Sequence, residues 1–152
     1  MALTASTSWQ ADHDLDIHLV QSDANGAFVF NDPDNDLYWN NTEPDWGSAG
    51  SALDDPFFYG DDTDGFGPER VGLAQFDSSK KYRVGVQYSR RDGNFPFVWD
   101  TDLDLTVRAG GMVINQTLTH RFGVNDEGDI WVVYEIDGSN GAVTVVDTIE
   151  QP

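Results

Sequence analysis

Residues 14–21 read DLDIHLVQ, and their alternation decides the fold. In a β-strand, successive side chains point to opposite faces, so residues two apart share one. Leu15, Ile17 and Leu19 then form an apolar face, while Asp14, Asp16 and His18 form a polar one. The same period recurs on either side, in 2–9 (ALTASTSW), 69–76 (ERVGLAQF), 81–89 (KYRVGVQYS), 102–109 (DLDLTVRA), 111–120, 129–136 and 142–149. Residues 26–31 (GAFVFN) and 36–41 (DLYWNN) read as two further, short aromatic strands. The turn-forming stretches DANG, RRDGN, AGG, NDEGD and DGSNG punctuate these runs, and no window carries the 3.6-residue apolar period of a helix. The reading is an all-β protein: one antiparallel β-sandwich domain over 1–152, jelly-roll-like, of about 8–10 strands.

Charge narrows the function. The 152 residues carry a formal net charge of −19, and 22 of the 27 acidic residues are aspartate. Aspartate favours turns, caps and hard-cation sites, whereas glutamate favours helices. Eight basic residues leave nothing for a phosphate backbone, so nucleic acid is not an expected partner. No stretch is long and apolar enough for membrane insertion, and residues 1–20 lack a signal peptide's basic start and apolar run. A native Met1 would start the chain inside a cell or a virion. The absence of cysteine excludes a disulfide framework and thiolate metal sites.

One region breaks the strand rhythm. Residues 31–69 hold most of the Asn, Pro and clustered Asp, with at most one strand expected inside. Long irregular connections in compact domains are commonly functional, and this one carries Trp39, Trp46, Phe57, Phe58, Tyr59 and Phe66, enough to pack it down. It ends in DDTDGFGPE (61–69), where four carboxylates crowd around two glycines and a proline. Near a protein surface, two unit charges 4 Å apart repel by about 4 kcal/mol. Such crowding calls for either a solvated loop or a cation.

The strand pair Asp14 and Asp16, together with Asp61, Asp62, Asp64 and Glu69, makes an all-oxygen set suited to Ca2+, which takes 6–8 oxygens in irregular geometry. Asp62 and Asp64 stand foremost on the loop side. Asn40, Asp45, Asp100, Asp102 and Asp104 are further candidate ligands. An EF-hand is excluded, because placing Gly65 at loop position 6 puts Gly60 and Val71 at positions 1 and 12. The ion's expected role is structural: it pins the long loop to the sandwich. Trp39, Asn41 and Trp46 are candidate ligand contacts, since rings stack on sugars and amides grip hydroxyls. His18 shares a face with Asp14 and Asp16, so a hydrogen bond to a ligand carboxylate is expected of it. No G-x-S-x-G or H-E-x-x-H pattern appears, and the aspartates are too many to single out a catalytic pair, so the expectation is no enzyme.

The succession DLDIHLV, DLYWNNTEPDWG, DDTDGFGPE and YRVGVQYS resembles a bacterial β-sandwich domain of uncharacterised function. That domain recurs in predicted secreted proteins and lipoproteins, notably of myxobacteria, with a DLDLHV strand, a PDWG segment and a DDTDG-x-GPE loop. The resemblance spans roughly residues 3–110. It implies an extracellular or cell-surface module for adhesion or carbohydrate binding, with a glycan or protein ligand. A weaker similarity runs to TerD-type calcium-binding stress proteins, whose GDN-x-TG-x-GDGDDE pattern this chain lacks. A third reading is a structural protein that assembles with copies of itself in a surface fibre or virion decoration.

Overall fold

The computed structural model describes residues 2–9, 14–62, 67–90, 99–122 and 127–152. Ten strands follow in order: β1 (Leu3–Trp9), β2 (Asp14–Gln21), β3 (Asp36–Leu37), β4 (Pro56–Phe58), β5 (Glu69–Leu73), β6 (Lys81–Arg90), β7 (Trp99–Ala109), β8 (Met112–Phe122), β9 (Ile130–Asp137) and β10 (Val143–Glu150). No helix occurs among the described residues. One sheet runs β4-β5-β1-β7-β8 and the other β10-β9-β6-β2-β3. Every pairing is antiparallel, so the architecture is an antiparallel β-sandwich.

The period-2 pattern does what it predicts. On β1, Leu3, Ala5, Thr7 and Trp9 are buried, while the residues between them are partly exposed. Leu15, Ile17 and Leu19 of β2 meet Val71 and Leu73 of β5, Val84 and Val86 of β6, and Leu105 and Val107 of β7 in one core between the sheets. Burying an aliphatic side chain of this kind stabilises a fold by about 1.5–3 kcal/mol.

Three local expectations are corrected. Residues 26–31 form no strand. Phe30 instead lies over the outer face of the second sheet, against Val20, Ile130 and Val132, and Phe28 sits under the Arg83 guanidinium at 4.1 Å. The aromatic run covers a sheet face rather than joining its ladder, so β2 is buried on both faces. Residues 36–41 pair for only two residues, and then Tyr38 and Asn41 close a tight turn on each other. Residues 31–68 hold two short strands, β3 and β4, where at most one was expected.

Most described aspartates with a defined partner cap turns. Asp23 Oδ1 accepts from the Asn25 and Ala27 N–H groups, Asp77 Oδ1 from the Ser79 N–H, and Asp137 Oδ1 from the Ser139 N–H. Asp54 Oδ2 accepts from the Ser48 N–H, and Asp55 Oδ1 from the Trp46 N–H. Such hydrogen bonds favour the charged carboxylate. The backbone bond from Ala27 holds Asp23 below the ordinary carboxyl range, as those from Ser48 and Ser79 do for Asp54 and Asp77. Much of the described acidic composition is thus turn chemistry; the carboxylates that gather at the start of β2 are of a different kind.

Candidate metal centre

At one end of the sandwich, Asp14 and Asp16 of β2 meet Asp61 from the long connection. One oxygen from each lies within 4.8 Å of the other two. Asp16 is buried, Asp14 half-buried and Asp61 exposed, so the cluster opens toward solvent at the loop. Oxygens that share one calcium at 2.3–2.6 Å stand at most about 5 Å apart, and this triad meets that spacing.

Glu69 feels the charges of Asp16 and Asp61 without belonging to the triad. It opens β5, stands opposite Thr7 of β1, and shares the inward phase of Val71 and Leu73, so the alternation that builds the core drives a carboxylate into it. Its Oε2 accepts a 2.7 Å hydrogen bond from the Ile17 N–H of β2 in the other sheet. Its Oε1 accepts from the Asp62 N–H at 3.3 Å. Burial pushes the Glu69 carboxyl up to about 9, and the charges of Asp16 and Asp61 act in the same direction, while the two N–H bonds oppose them. Without a counter-charge, the group therefore carries a proton at neutral pH. Thr7 Oγ1 on the same inward face is buried and has no hydrogen-bond partner among the described residues. The loop returns to β5 through Gly67, whose φ is +68°. A Cβ there would stand 3.0 Å from the Trp9 ring and 3.1 Å from the Thr7 carbonyl, so only glycine lets the chain lie this close to β1.

The structure sorts the sequence-derived ligands. Asp14, Asp16 and Asp61 converge; Glu69 is not in that group, although the charges of Asp16 and Asp61 act on its carboxyl. Asp62, placed foremost on the loop side, is not in the triad; its N–H turns inward to Glu69 while its neighbour Asp61 offers the carboxylate. Asp64 lies outside the described residues. Asp45 is exposed and outside the triad, accepting from the Gly50 N–H, and Asn40 is exposed on the Tyr38–Asn41 turn. Asp104 is exposed opposite Ser8 on β7, also outside the triad. Asp100 and Asp102 belong to β7 by backbone, but their side chains lie outside the described set.

The ligand-contact expectations also divide. Trp39 is 45% exposed, braced edge-on by Tyr38 at 6.4 Å. Trp46 is corrected: only 2% exposed, it packs against Tyr82 at 6.1 Å within the core, because the loop needs a large apolar anchor. Asn41 is spent on the loop itself, donating to the Pro33 and Asp36 carbonyls at 3.0 and 2.6 Å.

His18 is corrected as well. It is buried, its Nδ1 lies 2.8 Å from Asp36 Oδ2, and its Nε2 lies 3.3 Å from Gln87 Oε1. Tyr38 stacks on it at 5.0 Å. Asp36 is outside the triad and reaches His18 because β3 pairs with β2 at Leu19 and Val20. Asp36 Oδ2 also accepts from the Asn31 N–H, and burial raises the Asp36 carboxyl while His18 opposes that rise. Sequence reasoning missed this pair. It also missed Thr7, although a hydroxyl on the inward phase of ALTASTSW was the legible signal.

No family model matches the chain, and no curated protein matches it. Among solved structures, it is similar to the crystal structure of SAV2460, a protein of unknown function, at 20% identity and a TM-score of 0.51. The alignment covers 98% of this chain and 89% of that one. At that identity the likeness shows the fold alone. Fold and site together define a β-sandwich with a carboxylate cluster where β2 meets the long connection.

Proposed function

We propose that this protein is a non-enzymatic calcium-binding β-sandwich module for extracellular binding or adhesion, in which the ion is structural. The observation that carries the reading is the convergence of Asp14 and Asp16 on β2 with Asp61 of the long connection, whose charges reach the buried Glu69. The donor set is all oxygen, which suits a hard cation, and a multi-carboxylate loop suits calcium better than magnesium, which keeps its waters. Asp14, Asp16, Asp61 and Glu69 would hold the ion, which supplies the positive charge that lets these carboxylates ionise side by side. The gain is mechanical: a connection of some forty residues is clamped to both sheets at once. The motif resemblance supports an extracellular setting, where calcium is millimolar and weak sites fill.

Calorimetric titration of the chelator-treated protein with calcium, and separately with magnesium, tests the reading. Saturable calcium binding that weakens in Asp16→Asn and Asp61→Asn supports it. Absence of both heat and any calcium-dependent melting shift overturns it.

A further inference from the structure

The outer face of the β4-β5-β1-β7-β8 sheet carries a groove of about 580 Å³, within the range of small-ligand sites. We propose that this groove binds a short acidic saccharide, a sugar chain bearing a carboxylate of the uronic-acid type. The proposal goes beyond the calcium reading, and no part of it requires the ion.

The register builds the groove. Ser6 on central β1 stands between Arg70 of β5 and Thr106 of β7, and Thr4 stands between Gly72 and Arg108 in the next outward row. Two arginines therefore stand on the strands flanking β1, their backbones roughly 12 Å apart on the diagonal across it, with Thr4, Ser6 and Thr106 also lining the groove. Arg side chains are long enough to lean over that floor from both sides. In a chain of net charge −19 this pairing is unusual. Lys81 and Arg83 are held by Glu135, and Arg83 also by Glu150. Among the described residues, Arg70 and Arg108 are in no ion pair. The one described acid on this outer face in β7, Asp104, stands opposite Ser8, one row outside the groove.

One wall is aromatic. Tyr59 is 54% exposed and borders the groove; its N–H donates to the Arg70 carbonyl, and its ring meets Phe57 edge-on at 4.7 Å. Phe57 itself lies flat over Gly72, where any Cβ would run into the ring. Glycine at 72 thus lets Phe57 settle and prop Tyr59.

These parts read together as one ligand chemistry. A guanidinium fork matches a carboxylate with two parallel hydrogen bonds. A floor of three hydroxyls suits a hydroxyl-rich partner, and a half-exposed ring suits the apolar face of a pyranose. A long polyanion would meet the protein's overall negative field, whereas an isolated carboxylate meets only the local arginines.

The test is titration of the full chain with a galacturonate oligomer, a neutral galactose oligomer of equal length, and inorganic phosphate. The expected result is acidic-oligomer binding at least about tenfold tighter than neutral, with Arg70→Ala and Arg108→Ala each losing about tenfold. Arg108→Lys should recover only part of the loss, and Tyr59→Ala should weaken both oligomers. Equal affinity for the two oligomers, wild-type affinity in the double arginine variant, or binding of phosphate alone overturns the proposal. The same titration on Glu69→Gln keeps the two readings apart: failure of calcium binding leaves the groove result standing, and the reverse holds too.

Discussion

Glu69 of β5 closes the open edge of β2 in the opposite sheet: its Oε2 takes the Ile17 N–H at 2.7 Å. β3 pairs with β2 only at Leu19 and Val20, so among the described residues no strand lies beside that N–H, and Glu69 supplies its acceptor. A single side chain therefore ties the two sheets together at the end where Asp14, Asp16 and Asp61 gather.

Replacing Glu69 separates its two roles. Glu69→Ala leaves the Ile17 N–H buried and unsatisfied, which costs about 1–3 kcal/mol, read from urea unfolding in chelator. Glu69→Gln keeps an acceptor for that N–H and should unfold close to wild type in chelator. Calcium should then stabilise wild type and not the glutamine variant. Equal calcium stabilisation of both would place the ion elsewhere.

Calcium at ten times its dissociation constant adds about 1.4 kcal/mol to the folded state, or a rise of about 3–6 °C in melting temperature for a chain of this size. Asp16→Asn and Asp61→Asn should abolish the rise, while Asp62→Asn should largely preserve it, because Asp62 contributes its backbone. A Tm unmoved by calcium in the wild type counts against the site.

The metal-free protein should lose stability as pH rises. The Glu69 carboxyl sits at about 9 when folded, against an ordinary 4.5, so between those values the folded state holds a proton that the unfolded chain has released. Its contribution is present below the ordinary value and is lost on the way up through the folded one. The turn-capping Asp23, Asp54 and Asp77 are lowered instead, so they act below the ordinary carboxyl range, outside this window. In chelator, melting temperature should fall by several degrees from about pH 5 to about pH 9, and calcium should flatten the slope. A flat profile in chelator would show that Glu69 is solvated.

The buried pair His18–Asp36 should be structural. Asp36→Ala orphans both the His18 ring N and the Asn31 N–H, costing roughly 2–4 kcal/mol. Asp36→Asn retains an acceptor and should cost less. Calcium affinity should be unchanged in either variant, as chemical denaturation and calorimetry on the same samples would show.

The β-sandwich was legible because strand alternation is local, in ALTASTSW, DLDIHLVQ and ERVGL alike; that Thr7 and Glu69 put polar groups on the inward phase went unread. The acidic meeting point was legible in part, since two clusters of aspartate far apart in sequence had either to be solvated or to share a cation. What the chain's linear order did not settle was which atoms meet. Asp61 rather than Asp62 reaches the triad because the loop turns the Asp62 N–H toward Glu69. Trp46 enters the core and Trp39 stays out, though both stood as candidate ligand contacts. His18 finds Asp36 because β3 docks beside β2. Arg70 and Arg108 face one groove only because β1 pairs between β5 and β7 in one particular register. Periodicity is a property of neighbours along the chain and survives in the sequence; register and loop path are set by the packing of segments dozens of residues apart, and only the folded molecule contains them.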